Sequence, residues 1–154
     1  MRGPRGSDPV GLTVLLVGIL AAASIAAALV VPVVEITVNG LPCEPADVEL
    51  AKDCRAGGSI WLAPLILLIL VMAAGAGLGG SRAAGTALIA AGVAVLGLAI
   101  LLDLPSVGDT GAIGRNFEAA RAMAGPGLWA ELAGGALAVL AGAMRLLRPG
   151  RLAT

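Results

Sequence analysis

Residues 59–102 read SIWLAPLILLILVMAAGAGLGGSRAAGTALIAAGVAVLGLAILL, and a single charge, Arg82, interrupts them. A helix rises 1.5 Å per residue, so crossing ~30 Å of hydrocarbon takes about 20 apolar residues. Two such lengths fit into this stretch, 59–79 and 83–102, with Asp103 closing the second. Neither half alternates polar and apolar positions as a half-buried strand does, and each is too long for one. The connection is Gly79-Gly80-Ser81-Arg82, its first residue closing the first length. The stretch predicts two antiparallel membrane spans joined by a tight turn.

Two further runs have the same character. Residues 11–34 carry no charge, and residues 127–147 end among Arg145 and Arg148. Arg2 and Arg5 ahead of the first run would also suit a signal peptide, but a signal core is 7–15 residues long. This run continues through Leu29, Val30 and Val31, so it is expected as a retained span. The chain of 154 residues then reads as one integral membrane domain, 1–154, with spans 11–34, 59–79, 83–102 and 127–147 and outer loops 35–58 and 103–126. The fold class expected is an all-α membrane protein, an antiparallel four-helix transmembrane bundle. Composition agrees: 58% of residues are hydrophobic and only 13% charged, against about 45–50% and 25% in soluble domains.

Arginine placement sets the orientation. With the N-terminus cytoplasmic, the inner segments hold Arg2, Arg5, Arg82, Arg145, Arg148 and Arg151 against one acid, Asp8. The outer segments then hold Lys52, Arg55, Arg115 and Arg121, diluted by Glu35, Glu44, Asp47, Glu49, Asp53, Asp103, Asp109 and Glu118. Both termini are expected in the cytoplasm, with the cysteine-containing loop outside. Nine of the ten basic residues are arginine, and alanine, glycine and leucine dominate, as in a GC-rich bacterial genome. A bacterial cytoplasmic (inner) membrane is the expected location.

The first outer loop holds the only cysteines, Cys43 and Cys54. In an oxidising exterior they are expected to pair as a structural disulfide. Ahead of them, 33–38 is β-branched and alternating, and Asn39-Gly40 is a tight-turn pair, so a short strand and turn are expected. Residues 45–52 suggest a short helical turn. In the second outer loop, Ile113, Phe117, Ala120, Met123 and Ala124 recur at three-to-four spacing with Arg115, Glu118 and Arg121 opposite. That pattern predicts a short amphipathic helix of about three turns, broken by Gly125-Pro126-Gly127.

Lipid supplies no hydrophobic drive for helix pairing, so small residues at four-residue spacing are the packing candidates. They are Gly18, Ala22 and Ala26; Gly75 and Gly79; Ala83, Ala87 and Ala91; and Gly134, Ala138 and Gly142. The last stripe also suits self-association. Trp61 and Trp129 fall at outer helix ends, the place of an interfacial aromatic belt. Asp103, Asp109 and Glu131 are the candidates for an outer acidic cluster able to bind a cation, although Glu131 in the first turns of its helix also complements the dipole.

Histidine, tyrosine and glutamine are absent, which removes the commonest general base and metal ligand. No nucleophile–base pair of the Ser-His or Cys-His kind can be built. Residues 75–80 are glycine-rich but end a helix, the wrong terminus for phosphate. Formal net charge is zero, so nothing recruits nucleic acid. No catalytic, cofactor-binding or metal residues and no cofactor are expected.

Three resemblances follow from these residues. In span count and exported thiols the chain resembles the four-helix disulfide-generating membrane enzymes of the DsbB and vitamin K epoxide reductase types, which implies thiol oxidoreductase chemistry. Those enzymes use a Cys-x-x-Cys with a second cysteine pair, whereas Cys43 and Cys54 stand alone with ten residues between them. In topology it resembles claudin-like tetraspan proteins, without the Trp and Gly-Leu-Trp signature that those proteins carry ahead of the cysteines. Residues 127–135, Gly-Leu-Trp-Ala-Glu-Leu-Ala-Gly-Gly, with the arginines that follow, are similar to the last span of small uncharacterised four-span proteins of high-GC bacteria. The function expected is that of a non-enzymatic membrane protein acting through helix–helix or exported-loop contacts, as a homo-oligomer or an accessory subunit of a membrane protein partner. The alternatives are a small oligomeric channel or transporter, and the oxidoreductase.

Overall fold

The computed structural model describes residues 9–43, 54–116 and 118–147. The chain is mostly helical. Its elements are α1 (Pro9–Val30), β1 (Val34–Val38), β2 (Leu41–Pro42), β3 (Arg55–Ala56), α2 (Leu62–Gly77), α3 (Arg82–Ser106), α4 (Gly111–Asn116), β4 (Ala120–Ala124) and α5 (Pro126–Leu147). Residues 45–52, expected as a helical turn, lie outside the described residues.

Helix ends follow local chemistry. Pro32 has no N–H to continue α1, so the helix expected over 11–34 stops at Val30 and extended chain begins. Ser81 caps α3, its hydroxyl accepting from the Ala84 N–H at 3.2 Å. Gly80 takes the left-handed conformation (φ 67°) that lets the chain reverse between α2 and α3. Pro126 opens α5, where a missing N–H costs nothing.

Helix α5 packs against α1 and α3, and α2 closes against the other sides of α1 and α3. The shared core holds Val14 and Ile25 of α1, Ile69 and Ala73 of α2, Leu88 and Val95 of α3, and Ala138 of α5, all buried. Backbones approach closely where side chains are smallest. A Cβ on Gly134 would stand 2.8 Å from the Ala21 carbonyl oxygen of α1, and one on Gly92 of α3 would stand 2.7 Å from that of Gly135. The stripe of Gly134, Ala138 and Gly142 thus faces α1 and α3 within the chain.

The large apolar side chains that do not fit this core point outward, among them Leu16, Leu20, Leu67, Val71, Val93, Leu101 and Leu140. An apolar exterior of this extent is unlike that of a soluble monomer. Three helices, α1, α3 and α5, are long and apolar enough to cross a membrane. The segment expected as the second span is helical only over Leu62–Gly77, sixteen residues.

At one end of the helices sits a small antiparallel sheet. The Asn39-Gly40 turn, with both residues at positive φ (54° and 79°), folds β2 back on β1. Strand β3 pairs with Val34 and Glu35, and β4 pairs with the whole of β1, from Val34↔Ala124 to Val38↔Ala120. Here the chain departs from expectation. The amphipathic helix read over 113–124 is helical only from Gly111 to Asn116, and its second half is a strand. Ala120-Arg121-Ala122-Met123-Ala124 alternates as well as a strand requires, and an unpaired edge of β1 decides between the two periods.

Candidate functional site

The sheet joins both loops, and the disulfide pins it. Cys43 and Cys54 are bonded, with Cα atoms 5.7 Å apart. Both meet the same residue of β1: the Cys43 N–H donates to the Ile36 carbonyl at 3.0 Å, and the Ile36 N–H donates to the Cys54 carbonyl at 3.2 Å. The bridge therefore spans the gap between β2 and β3 along one edge of β1. Buried Ile36, Cys54 and Ile113 form a small core of their own beneath it.

A second apolar layer, Val33, Val34, Ala99 and Leu128 with Leu132 against it, seats the sheet on the helix ends. Backbone bonds tie the same junction, the Gly125 N–H donating to the Val33 carbonyl at 2.7 Å and the Gly127 N–H to that of Pro32 at 3.0 Å. Next to this layer lies the most unusual side chain of the structure. Glu131 is 0% exposed, the only buried charged residue among those described. Neither of its carboxyl oxygens meets a hydrogen-bond donor. What faces it is another acceptor, the carboxyl of Asp103, whose Oδ2 is also buried without a partner.

Backbone winding brings Asp103 there. Residues Ala99–Asp103 leave α geometry for a π turn, in which the Leu104 N–H reaches back to the Ala99 carbonyl. Single π turns inside α-helices are frequent at functional sites. The Ser106 hydroxyl donates to the Asp103 carbonyl, holding the last turn. Two carboxylates 4 Å apart repel by about 4 kcal/mol at an effective dielectric of ~20, and buried ions add a desolvation cost. A positive species or a proton between two such groups would relieve both costs.

Of the three acids expected to cluster, Asp109 stays apart: its Oδ1 accepts from the Gly111 N–H at 2.8 Å in its own turn. Among the described residues no group of three or more ligating side chains could hold a metal ion. Trp61 and Trp129, 66% and 64% exposed, stand at the starts of α2 and α5, at the sheet end of the helices. At the opposite end the Arg145 guanidinium donates from Nη2 to the Gly80 carbonyl, tying the last turn of α5 to the α2–α3 reversal.

The burial of Glu131 does not follow from its depth along the helix, which points to the outer end, but from the helical face it occupies. The signal was present: Glu131, Gly134, Ala138 and Gly142 share the spacing of one face. So do Val95, Ala99 and Asp103, at steps of four.

Comparison with family models, with curated proteins and with solved structures found no match.

Proposed function

We propose that this chain is a four-span integral membrane protein that performs no catalysis and works through contacts made by its exported sheet. In this reading α2 is the remaining span, both chain ends are cytoplasmic and the disulfide faces the outside of a bacterial cytoplasmic membrane. The observation that carries the proposal is the fusion of two loops, far apart in sequence, into one disulfide-pinned sheet seated on the helix ends. A loop that only connected two spans would need neither a staple nor a partner strand. The apolar exterior of the helices supports the membrane reading, and exposed Leu41 and Met123 give the sheet an apolar rim. The occupant of that rim is another membrane protein, either a second copy or a subunit of a larger complex.

Native mass spectrometry of protein extracted gently from its own membrane tests this. The wild-type chain is expected as a defined multimer or bound to a protein partner, and a Met123→Pro variant, which takes one hydrogen bond out of the β1–β4 ladder beside the rim, is expected to lose that assembly. A strict monomer without any bound protein, or an assembly indifferent to Met123→Pro, would overturn it.

A further inference from the structure

We propose that Asp103 and Glu131 form a proton-binding site, with one proton held between the two carboxyls and exchanged with outer water through Asp103. The site is defined by geometry. Glu131 is wholly enclosed, both its oxygens lack a donor, and it is aimed at a carboxyl that also carries a buried, unpartnered oxygen. Ionised carboxylates only accept hydrogen bonds, so the two can bond to one another only when one of them is protonated. Among the described residues, the helices that carry and enclose the pair bring no cation to that place. Helix α1 has no titratable side chain along Pro9–Val30, and α2 has none along Leu62–Gly77. Helix α3 brings Asp103 at one end and Arg82 at the other, and α5 itself carries its only cation, Arg145, in its last turn. From the sheet, Glu35 of β1 adds a further acid with Arg55 of β3 as its register partner, while Arg121 of β4 is exposed and stands opposite Thr37.

A proton fits better than a metal ion. A hard cation takes six or more oxygen ligands or several waters, whereas the pair, beside the apolar layer of Ala99, Leu128 and Leu132, supplies two carboxyls and no third ligating side chain among the described residues. Asp103 is the member of the pair that meets water. Asp103 is half-buried and ends the π turn at the helix surface, while Glu131 lies behind it. The proton adds to a carboxylate lone pair and leaves to water, with no other reactant.

Infrared spectroscopy of the full chain in phosphatidylcholine vesicles at neutral pH, in H2O and in D2O, tests the assignment. The folded wild type is expected to show a protonated-carboxyl C=O band that shifts in D2O and ignores a metal chelator. Glu131→Gln is expected to abolish the band, Asp103→Asn to shift it, and Asp109→Asn to leave it in place. A folded wild type with no such band overturns the proposal, and that measurement needs no variant to fold. A band that persists in Glu131→Gln, or stays unshifted in Asp103→Asn, overturns it too. A band seen only after chelation assigns the pair to a metal ion and overturns the proton reading.

Discussion

The Gly85 carbonyl oxygen lies 2.5 Å from the point where a Cβ on Gly142 would stand, so α3 and α5 touch backbone to backbone at that crossing. Close approach of this kind maximises dispersion contacts, the main drive for helix pairing in a lipid surround. Gly142→Ala is expected to destabilise the chain by about 1–3 kcal/mol, the usual cost of forcing a methyl into a filled interior. Gly97→Ala, with nothing within 4 Å of its added Cβ, is the matched control and is expected to cost nothing. Thermal unfolding of both variants in one detergent checks the contrast; equal midpoints would sink it.

Replacing Cys43 and Cys54 by serine is expected to lower stability by about 3 kcal/mol, from the loop-closure entropy of an 11-residue separation, while leaving helix content unchanged. Circular dichroism and unfolding with and without reductant measure both quantities. Loss of helix on reduction would mean that the sheet scaffolds the helices and does not merely ride on them.

Register predicts which amide of β4 matters. The Gly125 N–H bonds the Val33 carbonyl, so by the alternation of an antiparallel ladder the pairs Glu35↔Met123 and Thr37↔Arg121 are also hydrogen-bonded. Met123→Pro removes one such donor and is expected to cost about 1–3 kcal/mol. Met123→Ala, which trims an exposed side chain and keeps the amide, is expected within about 0.5 kcal/mol of wild type. Hydrogen exchange at Glu35 and Thr37 reads the same difference locally.

Trp61 and Trp129 are expected at one shallow depth. In single-tryptophan variants, quenchers fixed near the lipid headgroups should act more strongly than quenchers near the bilayer centre, and equally on both residues. Deep quenching of either would remove it from the interfacial belt.

Much of this architecture could be read before any coordinate was known, because long apolar runs admit few structures. The helices and the β1 strand with its Asn39-Gly40 turn follow from patterns with one reading each. Strand β4 does not: Ala120, Ala122 and Ala124 satisfy a period of two while Ala120, Met123 and Ala124 satisfy 3.6, and only the presence of β1 distinguishes them. Asp103 and Glu131 illustrate another kind of failure. Their distance from the helix ends suggests an outer surface, but the face they occupy is the one that α3 and α5 turn toward each other. Asp109, a few residues from Asp103 in sequence, is held apart by its own hydrogen bond to Gly111.

The sixteen residues of α2 amount to about 24 Å of helix, against ~30 Å of lipid tail. If α2 crosses the bilayer, the leaflets have to dip by several ångströms along that flank, at a fraction of a kcal/mol for each ångström of mismatch. Two copies that met along α2 would share one dimple where separate copies make two. Membrane elasticity alone would then draw these flanks together, more strongly in thick bilayers than in thin ones.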